Sequence, residues 1–211
     1  MELPNPPTLP SSLINLNGNI MVAVDVETTG RLAGFHEIIQ LAVVPLTSDL
    51  NPLDTVMPFY INMAPEFPER AEKESQEVHG LSLEYLAGNG TDKWMAADLF
   101  DEWFQRLNLP FRRKLIPLAH NYSFERGFLT HWLGLESFDQ LWYPLARDTM
   151  LFADSINDAA AYHGLEIPFP TVSLGAMCKK FAVPLDNAHD ALADCLATAE
   201  LYKRMLQAFG R

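Results

Sequence analysis

Cysteine is almost absent from this sequence. Cys178 and Cys195 are the only two, and neither lies in a CxxC pair. Both fall on apolar helical stripes, so they read as buried thiols of a protein in a reducing, cytoplasmic setting. Also lacking is any run near the ~20 uninterrupted apolar residues of a membrane span, so no membrane contact is expected. Met1 to Ser12 has no basic patch followed by an apolar stretch, which speaks against a signal peptide. No internal repeat is present. Basic residues are scarce, 15 Lys and Arg against 27 Asp and Glu, for a net charge of −12. A protein that wraps long nucleic acid by neutralising phosphates is normally basic. The charge therefore leaves two accounts: nucleic acid is not the ligand, or the contact is small and bound metal offsets part of the local negative field. Composition alone favours the former.

What the chain does have is apolar mass. Hydrophobic residues make up 48% of 211, enough for one substantial core and one domain. Pro4, Pro6, Pro7 and Pro10 mark residues 1–17 as an extended Pro-rich arm, leaving residues 18–211 as the domain. Ile20 to Val26 is a β-branched strand segment, and Glu37 to Leu46 and Thr55 to Met63 are strand-like too. Joined by turns, they predict an antiparallel start to a sheet. The period then changes. Pro68–Leu86 and Asp92–Leu107 read as helices, the second with Trp94, Leu99, Trp103 and Leu107 as its apolar stripe. A short strand over Lys114–Ala119 precedes a helix over Ser123–Leu133, and another strand is expected near Arg147–Met150. Helices over Thr149–Tyr162, Ser173–Phe181 and Ala188–Ala208 complete the set, with Phe138–Tyr143 and the Pro168–Pro170 segment irregular. Strands first and alternation afterwards predict an α/β fold: a mixed sheet, three antiparallel strands then parallel ones, flanked by helices on both faces.

Three elements could carry chemistry. Residues two apart in a strand share a face, so Asp25 and Glu27 stand side by side while Val24 and Val26 pack behind them. Two carboxylates in an apolar strand cost several kcal/mol to desolvate, about what hard cations with a preference for oxygen would offset. A strand end where both acids meet water is the plainer alternative. In the segment His189–Asp194, five residues turn through about 140° on a helix. The two residues converge only if His189 precedes the helix and Asp194 lies on it. Otherwise Asp190 and Asp194 merely complement the helix dipole. Glu125 sits beside the apolar face formed by Phe124, Phe128, Leu129 and Trp132, and taken singly it reads as a solvated acid.

Taken together, VDVETTG, HNYSFERGFL and HDALADCLAT resemble, in order and spacing, the three motifs of the DEDDh group of DnaQ-like 3′→5′ exonucleases, of the ribonuclease H-like superfamily. IIQLAVV and the VHGLS segment at Val78–Ser82 add to the likeness, which spans Ile20 to Leu206. One position departs: Glu125 stands where the family normally supplies Asp.

The resemblance implies a two-metal-ion exonuclease that releases nucleoside 5′-monophosphates from nucleic-acid 3′ ends. Asp25, Glu27, Glu125 and Asp194 are then the ligands of two divalent cations, Mg²⁺ or Mn²⁺, and His189 the general base. Thr28 and Asn121 are expected to contact substrate or position a neighbour. The implied partner is a DNA or RNA 3′ end, single-stranded or short given the acidic charge. A polymerase or other protein partner and a homodimer are compatible with it. The alternative is a nucleic-acid-binding module of the same fold with catalysis impaired at Glu125. Tyr122 and Phe124 are candidates for stacking on terminal bases, with core packing favoured for Phe124. The basic runs Arg112–Lys114 and Lys179–Lys180 read as solvated loops or phosphate contacts, and His36, His79, His131 and His163 as structural or exposed, with His79 able to orient a loop near the substrate.

Overall fold

In the computed structural model, Leu16 and residues 18–209 are described. The Pro-rich arm, Leu16 apart, lies outside the described residues. Strands β1 (Ile20–Thr28), β2 (Ile38–Leu46), β3 (Phe59–Asn62), β4 (Leu115–Ala119) and β5 (Arg147–Asp148) form one sheet in the order β3-β2-β1-β4-β5. β1 pairs antiparallel with β2, and β2 with β3. β4 and β5 join in parallel. This is the mixed sheet expected. β3 is shorter than Thr55–Met63 because residues 54–56 turn and bend before the ladder begins at Phe59.

The alternation of β1 divides the core. Val22, Val24 and Val26 face α3 (Lys93–Arg106), α4 (Tyr122–Leu133) and α5 (Leu135–Leu141), against Phe100, Trp103, Phe128 and Phe138. Met21 and Ala23 face α8 (Ala191–Phe209), against Ala191, Cys195 and Ala199. α6 (Thr149–Tyr162) and α7 (Leu174–Lys180) pack on the outer side of α8 through Ala153, Met177 and Leu201. Both cysteines are buried and unpaired. Helices thus cover both faces, and the period-2 rule puts Asp25 and Glu27 on the α8 side.

Several expectations are corrected. The helix predicted over Pro68–Leu86 is three pieces: a 3₁₀ turn at Pro68–Arg70, α1 (Lys73–His79) and α2 (Leu83–Asn89). Gly80 ends α1 in the left-handed region at φ 67°, and Ser82 Oγ caps α2 by accepting from Tyr85 N. Of the stripe expected on α3, Trp103 is buried and Leu107 packs against the core, but Trp94 and Leu99 are exposed, and Ala96 and Phe100 are buried in their stead. Phe138–Tyr143 is not irregular throughout. α5 drives Phe138 into the core, and Trp142 then bridges to Leu115 at the sheet edge.

Candidate active site

Each acidic candidate arrives on its own element. Asp25 and Glu27 stand near the C-terminal end of β1, where the β1–β2 register shifts between Glu27 and Thr28. α8 brings Asp194 in its first turn. His189 precedes that helix with a left-handed φ of 68°, which folds its backbone N–H back to donate to Asp194 Oδ2 at 3.3 Å. Glu27, His189 and Asp194 consequently offer ligand atoms within 4.8 Å of one another. His189 lies before the helix, as convergence required.

Glu125 is not the solvated acid it resembles in isolation. It is 3% exposed, and its Oε2 has no hydrogen-bond partner. Burial and the neighbouring Asp25, Asp148 and Glu27 push its carboxyl well above the usual carboxylate range. Asp25 is raised in the same sense by burial, Asp194 and Asp190. Glu27 is pushed up to about 9 by burial, then Asp25, Asp194 and Asp190. Asp194 is also raised, mainly by burial, although His189 opposes this, and its Oδ1 lacks a partner. Carboxylates from three elements therefore press on one another without enough donors, although among the described residues only Glu27, His189 and Asp194 bring ligand atoms within 4.8 Å of each other, Asp25 and Glu125 lying outside that group. No Lys or Arg pairs with any of them among the described residues.

The scaffold around the cluster was only partly visible in sequence. Asp190 faces the cluster, held by the Tyr60 hydroxyl, which donates to its Oδ2 at 2.6 Å. Gln40 donates to Tyr60 Oη and accepts from Ala191 N, tying β2 and β3 to the start of α8. Asp148 accepts from Asn121 N and Tyr122 N as well as from Met150 N and Leu151 N, so one carboxylate fastens the starts of both α4 and α6. An Asp directly before a helical run is a readable N-cap signal. Its reach to α4 is not.

Of the other candidates, Thr28 is buried and donates through Oγ1 to Gly30 O at 2.6 Å. With Glu27, Arg31, Ser75, His79 and Phe124 it lines a cavity of about 160 Å³ beside the acids. Asn121 adopts φ 85° at the entry to α4, and its side-chain oxygen accepts from Ser123 Oγ. Tyr122 is buried, which withdraws it from base stacking. Half-buried Phe124 lines the cavity. His79 is buried with an unpartnered Nε2, and burial, then His189, lower its pKa. His36 is structural, its ring lying where a Cβ on Gly30 would be, 2.5 Å away. Arg112–Lys114 precedes β4, which runs parallel to β1. The basic run therefore sits at the opposite end of the sheet from the acids, about 20 Å or more away along the strand.

This geometry agrees with the comparisons. The family model described as Exonuclease, RNase_T, matches residues 22–202. The chain belongs to the RNase_T exonuclease family. It is similar to ribonuclease T of Photobacterium profundum, 26% identical over 193 residues, covering 88% of this chain and 81% of that protein. It is also similar to the PolC-type DNA polymerase III of Ureaplasma parvum, 26% identical over 198 residues, 90% of this chain but only 12% of the polymerase. A zinc-bound complex of Escherichia coli exonuclease I with single-stranded DNA superposes with a TM-score of 0.72 at 18% identity, over 92% of this chain and 41% of that one. The fold is thus ribonuclease H-like, and the chain spans a minor part of the polymerase and exonuclease I chains it matches. No helix among the described residues is long and apolar enough to cross a membrane.

Proposed function

We propose that the chain is a 3′→5′ exonuclease of the DEDDh type, with Glu125 in the place of the second-motif Asp. It hydrolyses terminal phosphodiesters of single-stranded or short nucleic acids to nucleoside 5′-monophosphates. The observation that carries this reading is the crowded carboxylate pocket. Glu125 Oε2 and Asp194 Oδ1 are buried without partners, and the acids raise one another's pKa, an arrangement that costs free energy unless cations enter. A donor set of carboxylate oxygens suits Mg²⁺ or Mn²⁺.

Asp25, Glu27, Glu125 and Asp194 would hold two such ions, which when bound stabilise charge on the attacking and leaving oxygens of an in-line displacement. The protein's own residues supply the rest. Exposed His189, tethered to Asp194, takes the proton of the attacking water on a ring nitrogen. The cavity beside Glu27 receives the terminal nucleoside between Thr28, His79 and Phe124. Asp148 holds α4 so that Glu125 faces Asp25. Asn121 acts through this junction. The likeness to an exonuclease I bound to single-stranded DNA supports a single-stranded substrate, that to ribonuclease T supports RNA among its substrates, and that to PolC-type polymerases supports service to a polymerase. The net charge of −12 fits an enzyme that grips only the last few nucleotides.

The test is a time course on 5′-labelled single-stranded DNA and RNA with Mg²⁺ or Mn²⁺. A ladder shortening from the 3′ end is expected, lost on chelation and in Asp25→Ala, and about 10²–10⁴-fold slower in His189→Ala. Internal fragments, or release that survives Asp25→Ala, would refute the proposal.

A further inference from the structure

Trp94 opens α3 and is 67% exposed, on the face of the helix turned away from buried Ala96, Phe100 and Trp103. It is not a stray surface aromatic. With Phe35, Phe67 and Trp132 it lines a cavity of about 300 Å³ whose rim carries Arg70 and Lys93. Phe35 is 47% exposed as well. Single exposed apolar side chains are ordinary, but aromatics gathered around a concavity with cations at its edge mark a binding site.

The cations narrow the ligand. The Arg70 guanidinium lies 3.8 Å over the Phe67 ring and 5.1 Å from that of Phe35, and makes no ion pair among the described residues. Lys93 stands 5.2 Å over Trp94 and pairs with Glu66. Of the acids at this rim, Glu37 is satisfied by Glu66 N and Phe67 N at 3.0 and 2.8 Å. In a chain of net charge −12, an uncompensated guanidinium among open aromatic faces suits a ligand with a flat π-system and an anionic group. A nucleotide unit has both: the base stacks and the phosphate meets the cation.

Position narrows it further. The loop after β1 walls both cavities, Gly30 and Arg31 facing the one beside Glu27, Gly34 to Glu37 the larger. Phe124 borders the former and Phe128 the latter, their rings 4.8 Å apart on one face of α4. A strand ending at the carboxylates can cross this loop and set an earlier base against Trp94. We infer that the Trp94–Arg70 cavity is a subsite for an upstream nucleotide of the single strand whose 3′ end is being cleaved, an inference that rests on the exonuclease reading above. A base must be unpaired to enter, so the subsite selects single strands over duplex.

The test uses the full chain and oligodeoxynucleotides of two, four and six residues. KM should fall with length in the wild type. Trp94→Ala should raise KM for the six-residue strand about 10-fold or more, leave the dinucleotide unchanged and spare kcat. Trp94→Phe should restore most of the loss, and Arg70→Ala should copy it with a weaker salt dependence. Independently of turnover, a six-residue strand should quench indole emission in the wild type more than in Trp94→Phe. Equal KM at every length, with no quenching difference, overturns the subsite and leaves the aromatic face to a protein partner. If no strand is shortened but the quenching difference persists, the subsite stands and the exonuclease reading falls.

Discussion

Glu27→Gln should make the metal-free protein more stable while destroying its activity. The Glu27 carboxyl is pushed up to about 9 in the native state from an ordinary value of 4.5, by burial and then by Asp25, Asp194 and Asp190. The folded value lies above the unfolded one, so the native protein holds a proton that the unfolded chain releases across this window. Stability is therefore full below pH 4.5 and falls as pH rises towards 9. At pH 7.5 the chain is about three pH units into the window, which at about 1.36 kcal/mol per unit sets an upper bound of about 4 kcal/mol. Burying the Gln amide returns about 1–2 kcal/mol of that. A net gain of about 2–3 kcal/mol corresponds to a Tm rise of about 4–12 °C for a chain of this size. The assay is thermal melting of both proteins in chelator at pH 7.5 and pH 5, then with Mg²⁺ or Mn²⁺. The difference should shrink to under about 1 kcal/mol at pH 5, which lies only about half a pH unit above the unfolded value of 4.5. Added cation should stabilise the wild type more than the variant. A lower Tm for Glu27→Gln in chelator at pH 7.5 would show that the acids do not repel one another, and the case for a cation site would go with it.

Two further outcomes are expected from the scaffold. Gly30→Ala places a Cβ 2.5 Å from the His36 ring, so urea titration should show a loss of about 1–3 kcal/mol, partly relieved in the double variant with His36→Ala. Asp148→Ala removes the acceptor of four backbone N–H groups at the starts of α4 and α6, so a loss of about 2–4 kcal/mol and slower mononucleotide release are expected. An unchanged melting curve for Asp148→Ala would remove it from the site's support.

The candidate site was named in the sequence through the joint resemblance of three motifs, each of which by itself left a plainer reading open. Asp25 and Glu27 interrupt an apolar strand at period 2, and His189 and Asp194 flank a helix start. Glu125 falls within a helical segment whose apolar face is clear, although its own burial is not. Where local rules were insufficient, the reading slipped. The stripe of α3 was set on Trp94 and Leu99 because tryptophan and leucine outweigh Ala96 in any hydrophobic pattern, yet Ala96 is the residue small enough to sit buried there. The break at Gly80 was missed because a glycine inside a helical pattern signals a left-handed cap only if the chain turns there. α5 escaped because Gly134 both closes one helix and opens the next without a capping side chain.

Taken by itself, the order of residues decided which groups have the right chemistry and which faces of β1, α4 and α8 are apolar, since these follow from side-chain type and the periods of strand and helix. Tertiary structure alone decided that buried carboxylates of β1, α4 and α8 act on one another short of hydrogen-bond donors, that Asp148 and Tyr60 brace these elements from other strands, and that Trp94 faces solvent beside Arg70. Those outcomes depend on how sheet and helices pack across the core, and contacts between separate elements, 27 residues apart for Asp148 and Asn121 and 130 for Tyr60 and Asp190, leave no mark on local spacing.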